Sequence, residues 1–220
     1  MGEFALGQPI PRSEDPRLLS GGGRYVDDAR LPNTAHASIL RSPFAHAYIN
    51  NIDISAAKKA PGVLLVLTGE DWKESGWGDL PVGSGRKRPD GSAMFVPPMK
   101  PIVTDKRVRR VGDGVAMVVA ENENQAKDAC ELIHIDYEIL PSVTSGKKAL
   151  AADAPAVHDD CPDNICFLHE VGDKAAVEAA FEQADHITSQ KLNITRVMAA
   201  TMEPRGCTGN YNSFDASYTL

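Results

Sequence analysis

No apolar run in this sequence approaches the roughly 18–20 residues that a membrane-crossing helix needs. The longest compact one, Val63 to Leu67, is strand-sized. The start, Met1-Gly2-Glu3-Phe4-Ala5-Leu6, lacks the basic and apolar regions of a secretory signal. Gly2 is present, but Leu6 stands where a myristoylation signal takes Ser or Thr. A cytoplasmic location is the expectation. Basic residues are too few for a nucleic-acid footprint: 23 Lys+Arg against 30 Asp+Glu give a formal charge of −7. The four cysteines, Cys130, Cys161, Cys166 and Cys207, form no CxxC pair, so neither zinc nor iron–sulfur spacing is present. Free thiols are expected. GxGxxG, Walker, GxSxG and HExxH signatures are all missing. The six histidines show no metal-binding spacing with a carboxylate.

What is present describes a folded protein. Across 220 residues, 42% are hydrophobic and 24% charged, which excludes disorder as the main state and allows one or two domains. Residues 1–33 are rich in turn formers, including Gly21-Gly22-Gly23, and read as an extended arm with a glycine turn. Strands are expected at 35–41, 48–54 and 63–67, with a short helix at 56–60 capped by Ser55 and stopped by Pro61-Gly62. Residues 74–100 form a long loop containing Arg86-Lys87-Arg88, read chiefly as a solvated loop.

From Val115 the pattern reads strand (115–120), helix, strand (134–139), within one layer. Asn122 and Gln125 fit a capping box, and Ala126, Ala129, Cys130 and Ile133 mark one helix face of small residues. Residues 142–164 read as a linker. Asp173 caps a helix over 174–183, then a β-rich stretch covers 186–199 and a hairpin closes the chain.

Candidate chemistry is sparse. His46 and His134 read as packed or hydrogen-bonded histidines rather than bases, and Asp27-Asp28 and Asp159-Asp160 as solvated turn carboxylates. Glu203-Pro204-Arg205 is a rigid charged corner. It serves either as an internal ion pair or as a site-forming wall.

In order and spacing, a set of segments is specific. They are Gly7-Gln8-Pro9, Glu14-Asp15-Pro16-Arg17-Leu18-Leu19, Gly21 to Asp28, Arg41-Ser42-Pro43-Phe44-Ala45-His46-Ala47 and Ala60-Pro61-Gly62-Val63. Val111-Gly112-Asp113, Val119-Ala120-Glu121, Gln125-Ala126, Asp136-Tyr137-Glu138, Leu140-Pro141 and Met202 to Gly206 continue the series. Together they resemble the molybdopterin-binding large subunit of the xanthine dehydrogenase/aldehyde oxidase family of molybdenum hydroxylases, carbon-monoxide-dehydrogenase type in particular.

The resemblance implies an α+β chain. An extended arm (1–20) leads into an α/β hammerhead domain (21–141), a linker (142–164) and the incomplete start of a molybdenum-cofactor-binding domain (165–220). It implies hydroxylation of an aldehyde, N-heterocycle or similar carbon with water-derived oxygen. A molybdenum–pterin cofactor would take the electrons, passing them to [2Fe-2S] clusters and FAD on partner subunits. In that family the cofactor loops and the catalytic glutamate lie further along than Leu220. No catalytic, cofactor-binding or metal-ligating residue is therefore assigned. Glu203 and Arg205 remain as candidate pocket-wall or domain-interface residues. The chain alone is expected to be inactive and to expose an apolar face on its second unit. The rival reading is a stand-alone, non-catalytic binding or scaffold module with a hammerhead fold.

Overall fold

The computed structural model describes residues 7, 9–29, 31–83, 85–195, 197, 199–201, 203 and 205–220. In chain order the first elements are helix α1 (Asp15–Leu19), strands β1 (His36–Arg41), β2 (Ala47–Asp53) and β3 (Val63–Thr68), and helix α2 (Gly69–Glu74). Strands β4 (Arg107–Val108) and β5 (Gly114–Ala120), helix α3 (Glu123–Glu131), strand β6 (His134–Ile139) and helix α4 (Gly146–Ala149) follow. Helix α5 (Lys174–Glu182) and strands β7 (Asn210–Asn212) and β8 (Ser217–Thr219) complete the order. Two compact units result: Ala35–Ile187, and Met1–Thr34 with Thr188–Leu220.

The larger unit holds two three-stranded sheets, ordered β1-β5-β3 and β4-β2-β6, with every pairing antiparallel. Strand β5 is central because both of its faces are apolar. Ala116 and Val118 pack under α3 with Val66, Ala129 and Ile133, while Val115 packs with Ala47, Ile49 and Val108 of the other sheet. The small stripe of α3 permits this approach: Ala126 and Ala129 are wholly buried. The strands flanking α3 do not share a layer, contrary to the sequence reading, since β5 and β6 lie in different sheets. Alternation in β6 buries only Ile135 and Tyr137 in part, which suits the edge of the second sheet.

Local signals met tertiary competition. Asn122 does cap α3, accepting from the Gln125 N–H at 3.0 Å. Gln125 returns no bond: its Oε1 is buried and, among the described residues, unpartnered. The side chain lies beneath Gly62, whose φ of +74° and lack of Cβ leave the room. The helix expected at 56–60 is one 3-10 turn, Ala57–Lys59, without a side-chain cap. Ser55 instead donates its N–H and hydroxyl to Asp53 Oδ1, so the hydroxyl is spent as a donor. Helix α2 was not anticipated, although Thr68-x-x-Asp71 carries its signal. Asp71 Oδ2 accepts from both the N–H and the hydroxyl of Thr68 at 2.7 Å.

Residues 142–164, expected as a linker, lie in this unit, and α4 is capped by Ser145, which accepts from the Lys148 N–H at 3.2 Å. Asp173 caps α5 as read, accepting from Ala176 N–H at 3.0 Å. No α5 residue is buried; Val177 and Phe181 are exposed.

In the smaller unit the triple glycine ends α1. Gly21 N–H bonds Leu18 O at 3.1 Å and Gly22 N–H bonds Arg17 O at 2.8 Å, with Gly21 at φ +77°. This is a Schellman closure. It commits two of the glycine N–H groups to helix carbonyls. Helix α1 also lies within the arm expected to be extended. The closing hairpin pairs β7 with β8, Tyr211 opposite Tyr218. No strand occurs at 186–199 among the described residues. No described residue of this unit is buried, and Leu192, Ile194, Phe214 and Tyr218 are all exposed.

Candidate functional site

The densest polar constellation grows from β4. Lys106 takes a left-handed φ of +57°, turning the chain so that Arg107 pairs with Tyr48 across the ladder. The guanidinium runs over the Tyr48 ring at 5.3 Å and is only 8% exposed. Its Nε donates to His46 Nε2 at 2.9 Å, Nη1 to Asp159 Oδ1 at 2.7 Å, and Nη2 to Ala156 O at 3.1 Å. An arginine donates only, so His46 Nε2 accepts and its Nδ1 donates to Pro141 O at 2.6 Å. Both ring nitrogens are occupied, which leaves His46 no role as a base. Arg109 adds ties to Val157 O at 3.0 Å and to Asp105 Oδ2 at 2.7 Å.

This network fixes 156–159 to β4, and Asp159 is therefore more than a solvated turn carboxylate. The Arg107 guanidinium holds its carboxyl below the usual carboxylate range, though the side chain is 78% exposed. Burial pushes the neighbouring His158 imidazole down, and Arg109 adds to the effect. The sign for Asp159 follows from linkage. Its contribution is present in full above the unfolded carboxylate value and is lost as pH falls through the lower folded value. Asp159→Asn should flatten the acid limb of a stability-against-pH curve measured by urea unfolding. An unchanged limb would remove Asp159 from the account.

A second node replaces the solvated loop expected around Arg86-Lys87-Arg88. Arg88 grips both Asp163 carboxylate oxygens at 2.8 and 2.7 Å and donates to Cys161 Sγ at 3.1 Å. Lys87 forms backbone bridges with Ala93 and Leu168, and Arg86 lies 4.7 Å from the Phe167 ring centroid. The long loop is thereby tied to 161–168.

The charged corner named from sequence lies in the smaller unit. Glu203 Oε1 accepts from the Val26 N–H at 2.9 Å, and Thr201 Oγ1 donates to Glu203 O at 2.6 Å. Val26 opens a 3-10 turn, Val26–Asp28, whose first N–H groups need acceptors. Among the described residues Glu203 and Arg205 form no ion pair with each other; both are exposed. Met202 and Pro204 of this corner lie outside the described residues.

The larger unit has a cavity of about 300 Å³, lined in part by Asn50, Asn51, Lys58, Glu70, Asp71 and Lys106. Lys106 pairs with Glu70 at 3.1 Å, and Asp71 is committed to Thr68. Among the described residues no group of three or more His, Cys, Asp or Glu is placed to hold a metal ion. No described helix is long and apolar enough to cross a membrane.

Comparison with known proteins places these features. Residues 20–141 match the family model "Aldehyde oxidase and xanthine dehydrogenase, a/b hammerhead domain", and residues 157–220 match "Molybdopterin cofactor-binding domain". The nicotine 6-hydroxylase large subunit of Paenarthrobacter nicotinovorans is 38% identical over 94% of this chain and 24% of its own length. The carbon monoxide dehydrogenase large chain of Afipia carboxidovorans is 32% identical over 98% of this chain and 27% of its own. The structure of quinoline 2-oxidoreductase from Pseudomonas putida 86 superposes with a TM-score of 0.79 at 33% identity, covering 96% of this chain and 26% of that one. The chain spans about a quarter of the length of these relatives. With the hammerhead model matched over more than half of the sequence, the chain belongs to the aldehyde oxidase and xanthine dehydrogenase family.

Proposed function

We propose that this chain is the N-terminal part of a molybdenum hydroxylase large subunit. The whole protein would hydroxylate an aldehyde, N-heterocycle or similar carbon with oxygen drawn from water. The carrying observation is the order of the two family matches, hammerhead at 20–141 and cofactor-binding domain at 157–220, on one continuous chain.

The residues present do not themselves make a cofactor cradle. Beyond Cys161 no described residue is buried, and a phosphate-bearing pterin needs convergent, sheltered donors. The cavity near α2 sets Lys58 and Lys106 among Glu70, Asp71 and Glu74, with Lys106 already paired to Glu70, and so offers an anion no net positive charge. No reaction step is assigned to side chains of this chain. Its part is a frame: arm (1–20), hammerhead (21–141), connecting segment (142–164) and the opening of the cofactor domain (165–220). Glu203 and Arg205 would contribute pocket wall or domain interface, Glu203 through the bond its carboxylate accepts from the Val26 N–H. The molybdenum–pterin cofactor would be held by the completed subunit. FAD and [2Fe-2S] clusters would sit on partner subunits, in the cytoplasm.

The test is the metal content of the complex that purifies with this chain from its native host. Roughly one molybdenum per chain, with larger partners present, is expected for an assembled hydroxylase. No molybdenum and no partner would overturn the reading.

A further inference from the structure

We infer that Cys161 and Cys166 form a reversible redox pair, closing an intramolecular disulfide when the chain meets a low-molecular-weight disulfide. Two turns build the pair. Cys161 N–H bonds His158 O at 3.0 Å, and Asn164 N–H bonds Cys161 O at 3.0 Å. Asn164 takes a φ of +57° and reverses the chain. Cys161 Sγ then lies 3.5 Å from Ile165 O and so faces the peptide that leads into Cys166. The two side chains are neighbours, the Cys166 thiol interacting with the Cys161 sulfur, and a disulfide closes between cysteines so placed. Burial pushes the Cys166 thiol up, and the adjacent Cys161 sulfur adds to this.

The two cysteines differ in a useful way. Cys161 is buried and carries a cationic donor, Arg88 Nη1, on its sulfur at 3.1 Å. Cys166 is partly exposed and is the sulfur a reagent meets first. Its backbone is held, with the Phe95 N–H bonded to Cys166 O at 2.9 Å. Cys130 is buried in the α3 core with its sulfur 3.6 Å from Ser38 O, and Cys207 lies in the other unit.

The exchange balances. The Cys166 sulfur attacks one sulfur of the reagent, forming a mixed disulfide and releasing one thiol that takes up the Cys166 proton. The Cys161 sulfur then attacks the Cys166 sulfur. The mixed bond breaks, the Cys161–Cys166 bond forms, and a second thiol leaves with the Cys161 proton. Two protein thiols lose two electrons, and the reagent's disulfide gains them. The attacking sulfur of the second step is held in place between Arg88 Nη1 at 3.1 Å and Asp163 Oδ1 at 3.6 Å. Closure withdraws one of the ties by which Arg88 holds the long loop to 161–168. The pair is a redox-sensitive latch on that loop.

The test uses the full chain. It is incubated with oxidised glutathione, quenched with an alkylating agent and mapped by mass spectrometry. The expected product is a single peptide spanning 161–166, two hydrogens lighter, with neither sulfur alkylated, and reverted by dithiothreitol. Cys207 should carry glutathione alone. In Cys161→Ser the Cys166–glutathione adduct should persist at least about tenfold longer than in the wild type, because the resolving thiol is gone. A wild-type map in which Cys166 retains glutathione as the end product, or stays unmodified while Cys207 reacts, would overturn the proposal. The wild-type map decides alone if the variant fails to fold.

Discussion

Replacing Arg107 by methionine is expected to cost about 3 kcal/mol of stability, nearly all of it from partners left behind. The side chain of methionine approximates the buried stem but has no donors. His46 Nε2, 2.9 Å from Arg107 Nε, would lose its donor inside a residue only 5% exposed. Ala156 O would lose the bond from Nη2. The ion pair itself matters less, because Asp159 is 78% exposed and rehydrates when released. Asp159→Asn should therefore change the urea midpoint far less than Arg107→Met. Lysine should not rescue the site, since one ammonium cannot serve three acceptors in divergent directions. Hydrogen exchange should rise over 156–164 in the Arg107 variant. Equal losses from both substitutions would mean that the ion pair, not the orphaned imidazole, carries the energy.

Gly69→Ala is expected to destabilise the larger unit by about 3 kcal/mol, through collision rather than conformational strain. A Cβ on Gly69 would lie 1.9 Å from Val103 O and 2.9 Å from Val103 C. Both atoms are backbone, and neither yields by a rotamer change. Val103 also packs on the Ala47, Ile49, Val108 and Val115 cluster, so moving it disturbs that core. Gly114→Ala should behave alike, with Pro101 O at 2.1 Å from the added carbon. Gly83→Ala is the control, with no atom within 4 Å. Thermal or urea unfolding of the three variants checks this. A shift for Gly69→Ala no larger than the control would show that the 103–104 backbone gives way.

Periodicity made most of the large elements legible. Alternation and apolar runs marked β1, β2, β3, β5 and β6, and the small-residue stripe marked α3. Such patterns report how many faces a strand buries, not which strand lies beside it. That is why β5 and β6 read as one layer yet belong to different sheets. Ser55 shows a second limit. A hydroxyl suited to capping gave its proton to Asp53, two residues away, and local chemistry alone did not rank the two options. The candidate site was less legible. Glu203 was marked by its charge beside Pro204, but its partner is the N–H of Val26, 177 residues distant. Arg107 carried no local signal, since its partners His46 and Asp159 lie 61 and 52 residues away in the sequence. Arg88 was read as solvent-facing because a cationic run usually is; its grip on Asp163 spans 75 residues.

The antiparallel pairing of β1 and β3 with β5 has a consequence for synthesis. His36 pairs with Ala120 and Thr68 with Ala116, so β1 and β3 leave the ribosome well before their shared partner exists. Until β5 and α3 emerge, Val63–Thr68 is an apolar strand with two open edges. Such late closure slows folding and exposes sticky segments to other nascent chains. A translational pause shortly after α3, or a chaperone that shields residues 63–68, would be the natural remedy. The yield of soluble protein should depend on elongation speed between β3 and β5 more than on speed anywhere else in the larger unit.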